Sequence, residues 1–268
     1  GSNIVGLKYD SYRLHQGKPG IEGLPATYTD RKEDAETLEI VLKDSYSNLK
    51  VSLFYSVIKG LNAVCRWAVI KNEGTQTVFL KRFMSAGVDF DRRNFERVPN
   101  SGAWGRERRI EKHPLFSGVQ GVYSRRGSSS HAHNPFLILQ GETADEFQGD
   151  VYGIVLAYSG SHELIVDVDS YSQTRILAGI NPDGFMWELE PGEKFSAPEA
   201  DLVYSAEGLN GMSITYHKLY RDHMCRGKYR NTRRPVLLNT WEACYMDINE
   251  DVIVDIAHES AKLGVELL

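Results

Sequence analysis

From Ile4 to about Ser205, apolar residues recur in short period-two runs broken by Gly, Asn, Asp and Pro. Leu49, Val51, Leu53, Tyr55 and Val57 fall on one face, with Lys50, Ser52 and Ser56 opposite, which predicts a strand buried on one side. Residues 37–42 and 62–71 repeat the alternation, so the three runs are expected as antiparallel neighbours joined by tight turns. Further strands are expected at 77–89, 106–112, 118–124, 135–139 and 151–159, and then at 162–169, 173–180, 185–189, 194–196 and 201–204. No useful helix-period signal interrupts them, and there is no internal repeat, low-complexity linker or block of like charge. Strands at this spacing predict a large β-sandwich or barrel.

The pattern changes at Gly208. Met212, Tyr216, Leu219, Tyr220 and His223 stand at helical spacing, which predicts an amphipathic helix over 209–226. RGKYRNTRRP follows as a linker, placing a domain boundary between about 224 and 234. Residues 235–238 are an apolar run, expected as a strand buried on both faces. Asn239, Thr240, Trp241 and Glu242 stand where that strand should end. Asn249 is placed to cap a helix, with Glu250 and Asp251 in its first turn, where carboxylates complement the helix dipole. Val252, Ile253, Ile256, Ala257, Ser260 and Ala261 give that helix a small apolar face, Gly264 ends it, and 265–268 begins a second strand. Strand, loop, helix and strand make a βαβ unit, expected to open a parallel α/β domain whose body lies outside this chain. The expected organisation is 1–207 for the sandwich, 208–234 for the helix and linker, and 235–268 for the first strand and helix of a (β/α) domain.

Composition narrows the function classes. A net charge of -5 and a pI near 5.9 argue against a general nucleic-acid surface. No apolar run approaches the roughly 20 residues of a membrane helix, and no signal peptide opens the chain. Gly1 and Ser2 read as residues left by cloning. Cys65, Cys225 and Cys244 are odd in number and in no metal spacing, so free thiols in a reducing cytoplasm are expected.

Few segments carry chemistry by themselves. In SGAWGRERRIEKHPL, Arg106, Arg108 and Arg109 follow Trp104; they could grip carboxylates or sugar hydroxyls, but an exposed strand bearing salt bridges is the favoured reading. In SRRGSSSHAHNPFL, His131 and His133 would share a strand face, yet no third ligand stands nearby and Asn134-Pro135 signals a turn, so no metal site is expected. Glu142, Asp145, Glu146 and Asp150, and likewise Asp167 and Asp169, read as solvated turns rather than acid–base pairs. Phosphate loops, dinucleotide fingerprints and nucleophile elbows are absent from the sequence, and no cofactor is called for. Trp241 differs by its place. At the C-terminal end of a barrel strand, an indole offers an apolar face to a sugar ring; packing at a domain interface is the equal alternative on position alone.

LLNTWEACYMDINEDVIVDIAHESAKLGVELL resembles the first βαβ segment of the α-galactosidases of glycoside hydrolase family 36. Asn239, Trp241, Glu242, Ala243, Tyr245 and Asp247 match the family pattern, with Thr240 and Met246 as mild departures. SGAWGRERR, SRRGSSSHAHNPF, QTRILAGINPDGFMWELEPGEKFSAPEADLVYSAEGLNGMS and GKPGIEGLPATY are similar to family stretches in the same order. The resemblance implies a mainly β chain: a galactose-mutarotase-like β-supersandwich lacking its first strands, a linker helix, and the truncated start of a (β/α)8 barrel. It further implies a retaining α-galactosidase acting on raffinose- or melibiose-type oligosaccharides, with both catalytic aspartates on later strands. None is expected in this chain, which alone is expected to be inactive. Trp241 is implied as a wall of the galactose pocket, with Asn239 supporting it. The intact protein is expected to form a homo-oligomer, a tetramer or dimer. Alternatives are α-N-acetylgalactosaminidase or galactosyl-transfer activity, a non-catalytic carbohydrate-binding module, and, weakest, a sugar epimerase.

Overall fold

The structure is a computed structural model that describes residues 5–268. Gly1, Ser2 and Ile4, where the cloning residues and the start of the alternation were placed, lie outside the described residues. The chain forms two compact units, one reaching to Met224 and the other Cys225–Leu268.

The first unit opens with β1 (Lys8–Gln16), β2 (Ala35–Asp44), β3 (Leu49–Ile58) and β4 (Ala63–Asn72), antiparallel in sequence order. The three expected neighbours are β2 to β4. The alternation does not single out β1, because this edge strand is exposed over most of its length and needs no apolar face. There follow β5 (Val78–Leu80), β6 (Met84–Phe90), β7 (Phe95–Ala103), β8 (Arg106–Ile110), β9 (His113–Pro114) and β10 (Gly118–Tyr123). Next come β11 (His133–Gly141), β12 (Val151–Leu156), β13 (His162–Val168) and β14 (Thr174–Ile180). The last are β15 (Trp187–Leu189), β16 (Lys194–Ser196) and β17 (Ala200–Ser205). Residues 77–89 are two strands rather than one: β5 pairs with β15 and β6 with β14, in different sheets. The break falls at Lys81 and Arg82, which are exposed, Arg82 donating to Glu163 at 2.7 Å.

One large sheet runs β1-β2-β3-β4-β17-β12-β11-β7-β8, with β16 on β4 and β9 on β7, and a second runs β10-β13-β14-β6. Between them lies a core of Phe95, Leu137, Leu139, Ile154, Leu156, Leu164, Val166 and Ile176, all buried. The alternating positions of both sheets meet there, as in any sandwich. On the opposite face of the large sheet sits α1 (Gly208–His223), whose buried Met212, Tyr216 and Leu219 cover Cys65, Val98, Ile138, Val151 and Val203. Full burial of a side chain such as Leu219 stabilises by about 1.5–3 kcal/mol. The approach is close: a Cβ on Gly153 would lie 2.6 Å from Tyr216 Cε2, so β12 needs glycine under the helix. The helix ends three residues before the expected 226.

The face assignment for β3 needs correction. Ser52 and Ser56 are buried and Val57 is 49% exposed. The even face lies under the chain between Gly17 and Tyr28, where Phe54 stacks flat on Trp67 at 4.6 Å beside Ile21 and Ala26. The serines are tolerated because their hydroxyls are bonded, Ser56 with Thr37 at 2.6 Å and Ser52 to Glu39 at 2.8 Å.

In the second unit, Leu237 and Leu267 form one parallel bridge, closing a strand–helix–strand turn. It holds α2 (Trp241–Cys244) and α3 (Glu250–Lys262). Asn249 Oδ1 accepts the Val252 N–H at 3.0 Å, the expected cap. Gly264 has φ 84°, and the Val265 N–H reaches Ser260 O, so the helix stops as expected. The run at 235–238 is not buried on both faces: Val236, Leu237 and Leu238 are 48%, 59% and 37% exposed. Among the described residues it has a single bridge to one neighbour and no flanking strands to bury it.

Candidate functional site

The residues expected to meet a sugar sit on the loop after the first strand of the second unit. Asn239 Oδ1 accepts the Trp241 N–H at 2.8 Å, fixing the start of α2. One turn on, the Tyr245 N–H returns to Trp241 O at 2.8 Å, and Tyr245 takes φ 47°, a left-handed conformation unusual for a large residue. That bend sets the Tyr245 ring edge-on to the indole, 5.5 Å between centroids, while its hydroxyl donates to Glu242 at 3.1 Å. The indole is 47% exposed. The loop thus holds one open aromatic face beside polar groups, and Asn239 acts on the position of Trp241 through its backbone.

His131 and His133 are not on one strand face. His131 is exposed in the loop before β11, and His133 begins that strand, partly buried beside Ser101 and stacked near Tyr123 at 6.3 Å. Burial, with Arg126 and Arg97 nearby, lowers the His133 pKa. The arginine strand β8 is exposed throughout, but the expected salt bridges are not made by Arg106, Arg108 or Arg109 among the described residues. The acidic turns are turns: Asp145 Oδ1 accepts the N–H groups of Phe147 and Gln148, and Asp169 those of Tyr171 and Gln173. For an epimerase, a His and a Glu must face each other across a sugar. His15 and Glu39 are bonded directly at 2.9 Å, which leaves no room for a ring between them.

A buried cluster escaped the sequence. The Lys18 ammonium lies 2.5 Å from Glu199, both side chains fully buried, and 4.1 Å from the centre of the Trp67 ring. Glu199 Oε1 also accepts the Thr27 N–H and hydroxyl, at 2.6 and 2.7 Å. Beside it, Asp201 is fully buried, and neither carboxyl oxygen is hydrogen-bonded among the described residues. Burial first, then the charge of Glu199, pushes the Asp201 pKa well above the carboxylate range. Ligand atoms of Cys65, Glu199 and Asp201 lie within 4.8 Å of one another. A cation there would face the Lys18 ammonium already seated on Glu199, so the donor set fits a proton-holding network better than a metal. Sequence spacing carries no signal for it, since Lys18 and Glu199 are 181 residues apart.

Comparison with known proteins agrees with this architecture. The profile described as "Glycosyl hydrolase family 36 N-terminal domain" matches residues 1–190, and that described as "Melibiase" matches 194–268. Alpha-galactosidase AgaA of Geobacillus stearothermophilus is 48% identical over 268 residues, covering all of this chain and 37% of its own length. Its crystal structure superposes with a TM-score of 0.98 at 47% identity, over 100% of this chain and 37% of that one. A crystal structure of an AgaA variant in complex with stachyose gives 0.97 at 48%, with the same coverage. The chain therefore spans little more than a third of the relatives it matches. With a family profile covering most of its length and a sandwich that superposes on solved members, the chain belongs to glycosyl hydrolase family 36.

Proposed function

We propose that this chain is the N-terminal part of a retaining α-galactosidase that removes terminal α-galactosyl residues from raffinose- or melibiose-type oligosaccharides. In this reading, 1–207 is the supersandwich, 208–234 the helix and linker, and 235–268 the start of the catalytic (β/α)8 barrel. The observation that carries it is the loop of Trp241, held by Asn239 at the end of the first βαβ strand, within a chain similar throughout to AgaA. Active sites of such barrels are built at that end of the strands. The indole face forms a wall of the galactose pocket, and Asn239 positions it. Retention requires two carboxyl groups about 5–5.5 Å apart, one attacking the anomeric carbon and one serving as acid and then base. Both belong to later strands, so this chain alone has no activity. The intact protein is a cytoplasmic homo-oligomer, tetramer or dimer, in the same reading; α-N-acetylgalactosaminidase or galactosyl transfer would differ in barrel loops outside this chain.

The test pairs the 268-residue chain with the intact protein in an assay of raffinose and melibiose hydrolysis. Turnover by the intact protein and none by the chain is expected. Turnover by the pure chain, or an intact protein that prefers N-acetylgalactosaminides, overturns the respective part.

One observation favours a second reading, a carbohydrate-binding module. A cleft of about 390 Å³ is lined by Leu24, Tyr158, Phe185, Trp187 and Phe195, with the Glu22–Lys194 pair among its polar groups. Calorimetric titration of the chain with melibiose decides: binding lost in Trp187→Ala supports this reading, and absence of binding removes it.

A further inference from the structure

The segment Ser124–Phe136 carries the stretch SRRGSSSHAHNPF, for which the glycosidase reading gives no task. It links β10 to β11 and is pinned on several sides. The Ser124 N–H and C=O pair with His162, the Ser124 hydroxyl donates to Ser128 O at 2.7 Å, and the Gly127 N–H donates to Ser161 Oγ at 3.0 Å. The Ser129 N–H reaches Ser159 O at 2.6 Å, the Gly102 N–H reaches Ala132 O at 3.2 Å, and Asn134 Nδ2 donates to Asn100 O at 3.1 Å. A loop tied to strands on both sides holds its shape without a ligand. It encloses a cavity of about 310 Å³, lined by Tyr123, Arg125, Arg126, Ser130 and His133 among others.

The charges in this cavity have one sign. Among the described residues no carboxylate lines it. The Arg125 guanidinium is held by Asp183 and leans over the Tyr123 ring. Arg126 has no ion pair and no side-chain hydrogen bond among the described residues. Arg97, half-buried on neighbouring β7, has a buried Nε without a partner. His133 lies within the field of both Arg126 and Arg97, and behind it on β13 the buried His162, like Arg97 outside the lining, has Nε2 unpartnered. His131 and Glu107 act on each other outside the cavity. Ser130 Oγ accepts the Ala132 N–H, which leaves its hydroxyl proton free to donate. An otherwise acidic chain thus gathers around one void the unpaired Arg126 guanidinium, the Ser130 hydroxyl and the His133 imidazole, which meets Ser101 through Nδ1 alone. A guanidinium fork is suited to several oxygens of one anion.

We propose that this cavity is an oxyanion site that takes a phosphate group, free or as the monoester of a small sugar. Arg126 supplies the paired N–H donors and the principal charge. His133 donates from its imidazole once the anion is present, and Ser130 donates its hydroxyl. The volume exceeds that of a phosphate and leaves space for a substituent on one oxygen. The sign of the pH linkage follows. The bound anion favours imidazolium, so it raises the His133 pKa, and binding takes up a proton at pH values above the free-state midpoint.

The experiment is an NMR titration of the histidine side chains of the 268-residue chain, in sodium sulfate and in sodium chloride of equal ionic strength. Sulfate stays a dianion throughout, so its own protonation does not enter. His133→Gln identifies the His133 signal by its loss. An upward displacement of the His133 midpoint by about one pH unit in sulfate corresponds to roughly tenfold tighter binding to the imidazolium form. Arg126→Gln abolishes the displacement, Arg126→Lys retains part of it, and the distant Arg31→Gln leaves it intact. Thermal unfolding of each variant verifies the fold; Arg126 is exposed, so the substitution removes no core contact. Calorimetry then separates the sources. Inorganic phosphate binding as tightly as galactose 1-phosphate assigns the free ion, and tighter galactose 1-phosphate assigns the monoester. Equal midpoints in sulfate and chloride, a displacement that survives Arg126→Gln, or binding of galactose as tight as its phosphate overturns the proposal. None of these outcomes depends on the glycosidase reading.

Discussion

Replacing Lys18 by methionine keeps the stem of the side chain and removes the cation that, alone among the described residues, is paired with Glu199. Both side chains are fully buried, so the carboxylate would be left with its charge uncompensated in a medium of low polarity. Breaking one half of a buried ion pair costs about 3–5 kcal/mol. The two bonds from Thr27 to Glu199 soften that figure, while loss of the ammonium over Trp67 adds to it. For a domain of 150–250 residues, each kcal/mol moves the thermal midpoint by about 2–4 °C, so Lys18→Met should unfold about 6–20 °C lower. The informative variant is the double one. Glu199→Gln keeps an oxygen to accept from Thr27 at the same place but carries no charge. Lys18→Met with Glu199→Gln should therefore recover to within about 1–2 kcal/mol of the parent chain. Differential scanning calorimetry of the single and double variants reads both numbers. A cost below about 1 kcal/mol for Lys18→Met, or a double variant no more stable than the single, would refute the argument that an isolated Glu199 charge is what the fold cannot bear.

Asp201 gives a pH test. Its folded pKa is raised, so the folded chain keeps a proton that the unfolded chain releases, and the associated stability is full below the ordinary carboxylate pKa and is lost as pH rises. Asp201→Asn should gain on the parent by up to about 1.4 kcal/mol per pH unit above that value, read from urea unfolding at several pH values; parallel profiles would count against it. In the intact protein, Trp241→Ala should lower kcat/KM for melibiose by roughly ten- to hundred-fold, corresponding to the loss of about 1.5–3 kcal/mol of apolar contact. Unchanged affinity and turnover would remove the tryptophan from the pocket. Asn249→Ala deletes the cap of α3 and should cost about 1 kcal/mol, seen as roughly fivefold faster amide exchange in that helix. Unaltered exchange there would mean that tertiary contacts alone hold it.

The sequence was most legible where one physical rule dominates. Period two located β2, β3 and β4, and period 3.6 located α1 with Met212, Tyr216 and Leu219 inward. Capping chemistry located both ends of α3. Reading failed where two rules compete. Ser52 and Ser56 look like solvent positions, yet they are buried because Glu39 and Thr37 satisfy them, and hydropathy has no means of seeing a partner on another strand. Residues 235–238 look like a central strand because their apolar character is real, while burial depends on neighbours that the described residues do not supply. The place of Trp241 could be read from the strand–loop–helix pattern; its fixation by Asn239 and its edge contact with Tyr245 could not, because the first rests on one side-chain rotamer and the second on the positive-φ turn at Tyr245.

The buried pair also bears on why the sandwich carries a charge where apolar residues would fit. Lys18 and Thr27 belong to the chain that covers the outer face of β3 and β4, and Glu199 precedes β17, which leads directly into α1. Apolar contacts between Trp67, Phe54, Ile21 and Ala26 are non-directional and do not by themselves single out one placement of that covering chain. A lysine that must reach one carboxylate oxygen, and a threonine that must reach the other, admit one. We therefore expect the double variant Lys18→Met with Glu199→Gln to recover stability but not order: amide exchange between Gly17 and Tyr28 should stay faster than in the parent chain, while exchange in β4 returns to parental rates. Parental exchange in both segments would show that packing around Trp67 fixes the covering chain, and that the pair is a cost the fold tolerates rather than the contact that sets its register.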